Sequence, residues 1–348
     1  MSETKGSIEK NNQRISSYVW KILLPVTIGI VTVYFLFEKE FNIESFSNLN
    51  ISYNLLPSIS LLFIAFFARE YGMAWRFNIL TSGKLNIKKG FLVTFLCEFT
   101  SAITPTSVGG SALSMIFMNR EGIKIGEAGA YTIIILFLDN LFFTIISPIV
   151  LIGFGIINIF DISSLHVNYD FETTFWTAYS LMALMTGLLF SALFVIPDRI
   201  AVFIKTLFQL RWLRRWQHKA HDFSENMIIA SLNIRKKPSI WWTKAFIATC
   251  ISWTGRFLVI NAIFLCFLPS ISQIIVFCRQ IIVWGLLMFS PTPGGSGLSE
   301  WLFDKFYFDL INSDAVVMII ALLWRVFTYY IYLIIGVFLL PTFLRKNK

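Results

Sequence analysis

Thr104-Pro-Thr-Ser-Val-Gly-Gly-Ser-Ala-Leu-Ser114 recurs, one residue shorter, as Ser290-Pro-Thr-Pro-Gly-Gly-Ser-Gly-Leu-Ser299. Both copies interrupt long apolar runs. Proline removes a backbone donor and breaks helices, and paired glycines weaken them further. Hydrocarbon cannot satisfy the backbone groups so freed. Irregular chain at membrane depth must therefore be buried in protein or line a polar cavity. Two related breaks in one apolar chain point to an internal repeat with a binding site between its halves.

Composition fixes the class. The chain has 348 residues, 56% hydrophobic and 17% aromatic, and only 14% are charged; its mean hydropathy is +0.69. Soluble domains carry about 25% charged residues, so this is an integral membrane protein. The net charge of +9 is confined to loops of one polarity, which argues for membrane topology and against nucleic acid. Cys97, Cys250, Cys266 and Cys278 all lie in apolar segments, so neither a disulfide nor a metal site is inferred. His218 and His221 read as exposed loop histidines, and no cofactor is expected. The polar residues 1–17 precede an apolar run without a small-residue cleavage site, the pattern of an uncleaved signal anchor.

Six segments are long and apolar enough to cross: 18–37, 55–80, 127–157, 175–196, 245–268 and 315–341. Segments 91–119 and 271–310 contain the breaks. Loop 81–90 holds Lys84, Lys88 and Lys89, and the loop after the first break holds Arg120 and Lys124. Both read as cytoplasmic, so 91–119 enters and leaves on one face. Residues 197–244 carry ten Lys/Arg and must also be internal. The second broken segment lies between turns poor in Lys and Arg and re-enters from outside. This arrangement puts 21 Lys/Arg in cytoplasmic segments and one in external segments. The expected fold is an all-α integral membrane protein with six transmembrane helices, two re-entrant helical hairpins and an inverted-topology repeat. Residues 1–17 form a cytoplasmic tail, 18–157 the first half, 175–341 the second half and 342–348 a cytoplasmic tail. The stretch 199–216 places Phe203, Leu207, Leu210 and Leu213 among basic residues. It suits the inner membrane surface and its anionic lipids, although ordinary positive-inside topology explains it as well.

Arg69, Glu70, Glu98, Asp139, Arg256, Arg279, Glu300 and Arg325 lie far from either interface. A charge at a helix centre costs roughly 2.5–3.5 kcal/mol on insertion scales, so these residues pair or line a cavity. Their spacing follows the repeat: Arg69 precedes Pro105 by 36 residues and Arg256 precedes Pro291 by 35. Asp139 follows Gly110 by 29 and Arg325 follows Gly295 by 30. An Asp139–Arg325 pair across the pseudo-two-fold axis is one expectation; neutralisation of Arg69, Arg256 or Arg279 by Glu98 or Glu300 is another. Ion pairs that only pin helices together would leave the same pattern.

At each tip a half-helix is expected to begin near Gly110-Ser111 and Gly295-Ser296, where unpaired amides and the helix dipole favour an anion. Gly109 and Gly294 would let that anion approach the backbone, and Thr106, Ser107, Ser111, Thr292 and Ser296 offer hydroxyls. The same small residues would also serve plain hairpin packing.

Pro291-Thr-Pro-Gly-Gly-Ser-Gly-Leu-Ser-Glu300 resembles the proline, double-glycine, glycine, glutamate signature of the lysylphosphatidylglycerol synthase/flippase transmembrane family. Thr104–Gly110, Asn119-Arg-Glu-Gly122, Gly126-Glu-Ala128, Trp324-Arg325 and Trp75-Arg76 are similar too, so the resemblance covers about 18–341. It implies transfer of a lipid between leaflets, typified by aminoacylated phosphatidylglycerol. The soluble transferase domain of bifunctional members is not found before Lys348, so synthesis of the lipid is not expected. Leu138-Asp139-Asn140 departs from the Glu-Arg followed by Asp of many members.

The expectation is a flippase moving a phospholipid, an aminoacylated phosphatidylglycerol-like lipid or a polyprenyl-phosphate-linked lipid through a midplane cavity. Arg69, Arg256 and Arg325 would hold phosphate, while Glu98, Asp139 and Glu300 would balance charge, accept an amine or carry a proton. A bacterial-type cytoplasmic membrane with both termini cytoplasmic is the expected location. A membrane-embedded enzyme acting on lipid phosphate is the alternative, but Gly294-Gly-Ser-Gly-Leu298 misses Gly-x-Ser-x-Gly and no histidine lies within a span. An accessory scaffold for envelope polymer export is the other. No Walker-type phosphate loop occurs, so ATP hydrolysis is not expected.

Overall fold

A computed structural model describes residues 55–104, 108–154, 171–195, 232–288 and 290–345. The described residues are helical, without strands. They form α1 (Leu55–Leu80), α2 (Ile87–Ile103), α3 (Val108–Arg120), α4 (Ile125–Phe154) and α5 (Phe171–Phe190). The second half contributes α6 (Ser239–Phe267), α7 (Gln273–Leu287), α8 (Leu298–Ile311), α9 (Asp314–Arg325) and α10 (Ile331–Arg345). A wide π turn, Val326–Tyr330, joins α9 to α10, and another, Ser191–Val195, ends α5.

Among the described residues, five helical stretches are long and apolar enough to cross a membrane: Leu55–Leu80, Ile125–Gly153, Phe171–Val195, Ser239–Phe267 and Val316–Phe343. They match five of the six expected spans. The sixth, 18–37, lies outside the described residues, as do the N-terminal tail, the basic stretch 199–216, His218 and His221. Large apolar side chains cover the outside: Leu56, Phe63 and Phe67 on α1 and Leu181, Leu184 and Leu188 on α5 are exposed. That is a surface suited to acyl chains.

Two elements in the sequence decide the shape. The first is a pair of glycines. A Cβ at Gly72 would lie 2.7 Å from Ser252 N, and one at Gly255 would lie 2.7 Å from Ala65 O. Rising numbers on α1 thus meet falling numbers on α6, so the two helices cross antiparallel with their backbones touching. Between apolar helices in lipid, such close contact replaces the missing hydrophobic drive with dispersion. The second element is the pair of breaks. Residues 105–107, between α2 and α3, lie outside the described residues, but the legs are clearly antiparallel. Lys89 at the start of α2 pairs with Glu121 past the end of α3 at 2.9 Å. In the second hairpin, Tyr307 of α8 donates to Val276 O of α7 at 3.2 Å.

One end of the molecule gathers the basic loops. Lys84 meets Glu127 at 2.8 Å, Trp241 donates to Ile79 O at 2.9 Å, and Lys237 reaches Ser82 Oγ at 3.0 Å. The opposite end holds the α6–α7 turn, where Asn261 donates to Gln273 O at 2.6 Å, and the left-handed Asn312 cap of α8. An apolar core surrounds each hairpin. One joins α2, α3 and the first half of α4; the other joins α7, α8, α9 and the second halves of α4 and α6.

Candidate functional site

The second break meets the end of α2 where those cores adjoin. A Cβ at Gly294 would stand 3.1 Å from Ala102 O at the end of α2. Gly294, Gly295 and Gly297 have φ of 57°, 71° and 84°, values that side chains resist. The left-handed run postpones the helix, so α8 starts at Leu298 and not near Gly295-Ser296 as the sequence led us to expect. Its first turn is capped from within: Glu300 Oε2 accepts from Gly297 N and from Ser299 Oγ, each at 2.8 Å. The amides foreseen for a substrate anion are therefore already engaged: Gly295 N donates to Thr292 O and Ser296 N to Pro293 O, each at 3.1 Å, and Gly297 N to Glu300.

Beside the tips lies a cavity of about 160 Å³ bordered by α1, α2, α4, α6, α9 and the second break. Arg76, Glu98, Asp139, Arg256 and Arg325 line it. Removing such charges from water is tolerated only with close partners, and each has one. Arg76, 2% exposed, pairs with Asp139 at 2.5 Å and donates to Thr249 Oγ1 at 3.2 Å. Asp139 also accepts from Trp253 Nε1 at 2.8 Å. Arg325 meets Glu300 at 2.9 Å, donates to Gly294 O at 3.1 Å and Ser296 Oγ at 3.3 Å, and sits 4.1 Å over the Tyr329 ring. It clamps the second break shut.

Glu98 serves two arginines. One carboxylate oxygen binds Arg69 of α1; the other binds Arg256 of α6 at 2.5 Å. Arg69 is completely buried, lies 3.5 Å from Glu70 and stacks 4.5 Å over the Tyr332 ring. Tyr332 in turn donates to Glu70 at 2.5 Å. Arg256 faces the cavity with its guanidinium 5.0 Å from the Trp253 ring and 4.7 Å from the Trp284 ring. Asn140 Oδ1, Trp284 Nε1, Trp324 Nε1 and Tyr329 OH also belong to cavity residues and have no hydrogen-bond partner among the described residues. Polar atoms buried this way mark a place for polar ligand atoms or water.

The residues singled out from the sequence separate into groups. Glu98, Asp139, Arg256 and Arg325 border the cavity, with Thr292, Gly294 and Gly295. Arg69 stands behind Glu98, while Ser296 and Glu300 stand behind Arg325. Arg279 lies apart: it pairs with Asp309 at 2.5 Å and donates to Phe306 O at 2.6 Å, clipping α7 to α8. Gly110 is buried against α2, where a Cβ would strike Ser101 and the Cys97 carbonyl, so packing accounts for it. Gly109 is in the first turn of α3; Thr106, Ser107 and the Ser111 hydroxyl lie outside the described parts. The expected Asp139–Arg325 pair is not formed, because each residue has a nearer partner: Arg76 for Asp139 and Glu300 for Arg325. Arg76 was missed. It stands in the Trp75-Arg76 pair quoted for the resemblance and lies seven residues after Arg69, about two helical turns on, and those were the available signals.

Together these features define a multi-pass helical membrane protein with an ionic cavity between two broken-helix hairpins. The chain belongs to the family described as the lysylphosphatidylglycerol synthase TM region, whose profile matches residues 22–336. It is also 22% identical over 302 residues to a UPF0104 membrane protein of Archaeoglobus fulgidus, covering 83% of this chain and 88% of that one. No solved structure matches it.

Proposed function

We propose that this protein moves a lipid with a phosphate-bearing headgroup between the leaflets of a membrane. The observation that carries the reading is the ionic cavity between the two hairpin tips. At about 160 Å³ it is well below the roughly 300 Å³ of the smallest usual ligand pockets, so it suits a headgroup and not an acylated lipid. The acyl chains would stay in the bilayer. Met185 supports a lateral opening: it borders the cavity and is 37% exposed on the apolar flank of α5.

In this reading each hairpin dips part-way into the bilayer and returns, the first from the cytoplasm and the second from outside. Six crossings, both termini cytoplasmic and a bacterial-type cytoplasmic membrane complete the picture. The antiparallel α1–α6 crossing supports inverted halves, and the gathering of Lys and Arg at one end supports the orientation. Transport would proceed by rocking of the halves about the tips, without chemistry on the lipid.

Proteoliposomes containing tail-labelled fluorescent phosphatidylglycerol test this. Exchange between leaflets with no new lipid product is expected. A new product would favour an enzyme acting on lipid phosphate. Neither exchange nor product would leave the accessory role in polymer export.

A further inference from the structure

The three cavity arginines are not equivalent. Arg76 is held by both oxygens of Asp139, at 2.5 and 3.4 Å, and by Thr249. Arg325 is held by Glu300, Gly294 O and Ser296 Oγ. Arg256 has a single carboxylate oxygen, 2.5 Å away, and the other oxygen of that carboxylate belongs to Arg69. Its side chain is 12% exposed, against 2% for Arg76 and 6% for Arg325. The Trp253 and Trp284 rings position its planar guanidinium while leaving its in-plane donors for an oxyanion.

We propose that Glu98 is an internal competitor of the substrate's phosphate for Arg256. On arrival of a phosphate oxyanion, Arg256 exchanges the Glu98 oxygen for a phosphate oxygen. Glu98 keeps Arg69, so no carboxylate is stranded in the interior. Arg256 is then the phosphate contact, and Arg69, with no surface on the cavity, is the residue that holds the displaced carboxylate. The proposal rests on the transport reading and refines its substrate contact.

Competition predicts opposite signs for two neighbouring neutralisations. On the full chain in detergent, binding of water-soluble dihexanoyl-phosphatidylglycerol and of inorganic phosphate is measured by calorimetry and by Trp253/Trp284 fluorescence. Glu98→Gln should bind the short-chain lipid about tenfold more tightly, the scale of one hydrogen bond to a charged group. Arg69→Gln, which leaves Glu98 wholly to Arg256, should bind about tenfold more weakly, and Arg256→Gln should lose binding. General structural damage would weaken both of the first two. Inorganic phosphate following the same order identifies the bare oxyanion as the recognised group; order in the lipid alone identifies the headgroup. Both support the proposal. If Glu98→Gln does not fold, Glu98→Gln/Arg69→Gln keeps the charge balance and carries the same expectation of tighter binding. Unchanged or weaker binding in a folded Glu98 variant overturns it. Lipid exchange that persists without this order sinks the competition alone. The order without lipid exchange sinks the transport reading and leaves an anion site.

Discussion

Asp139 shows what a single side chain costs when its partner is removed. It is bound by Arg76 and Trp253, from two different helices. Breaking a buried pair by deleting one member typically costs about 3–5 kcal/mol, whereas removing both costs far less. Arg76→Ala should therefore lower the thermal midpoint of the detergent-solubilised protein sharply. Arg76→Gln/Asp139→Asn should recover most of the loss; additive losses would show that the pair contributes little. Arg325 makes a different prediction, because it grips the second break through three groups. Arg325→Ala is expected to reduce leaflet exchange to background while the protein still inserts. Arg325→Lys, which keeps the charge opposite Glu300 but lacks the planar fork, should retain part of it. Undiminished exchange in the alanine variant would remove this residue from the site.

Among elements, the α1–α6 crossing is the most sensitive. Backbone atoms of the partner helix stand 2.7 Å from where a Cβ would be at Gly72 and at Gly255, and backbone cannot swing aside as a side chain can. Overpacking a core costs about 1–3 kcal/mol, so Gly255→Ala should destabilise by that amount. Gly187 on α5 meets nothing within 4 Å; Gly187→Ala there should be neutral or stabilising by up to about 1 kcal/mol through helix propensity. Thermal melts of the two variants compare them directly. Equal effects would mean that the crossing is looser than described.

At the scale of the whole molecule, the gathered loops give a test of sidedness. Cysteines at Lys88 and Lys124, both exposed, should react with an impermeant thiol reagent from one face, and a cysteine at exposed Ser270 from the other. Labelling of Lys88 and Lys124 positions from opposite faces would end the hairpin arrangement. Leu85 and Ile123, in the same loops, are 0% and 2% exposed and are unsuitable probes.

Much of this architecture was legible from residue types alone. Proline and glycine at 104–114 and 290–299 announced both breaks, and five of the apolar runs match long helices with ends displaced by at most six residues. Charges at span centres announced an ionic interior. The partners were not legible. Arg256 and Glu98 are 158 positions apart, and no local periodicity connects them. The repeat was a misleading guide here. It aligned Asp139 with Arg325, but each is neutralised by a residue with no charged counterpart at the equivalent place in the other half. The internal capping of α8 was half visible, since Glu300 stands three residues after Gly297 as in a capping box. The left-handed run that delays the helix required backbone angles.

The wide turn at Val326–Tyr330 sets the register of everything after it. It holds one residue more than an α-helical turn would, and a helix rotates by about 100° per residue. Deleting Thr328 would regularise the helix and swing Tyr332 off Glu70 and Gly336 off Phe99, two contacts that tie the final segment to α1 and α2 of the first half. Shortening the chain by one position would thus unseat α10 and, in the same stroke, take the Thr328 side chain out of the cavity wall.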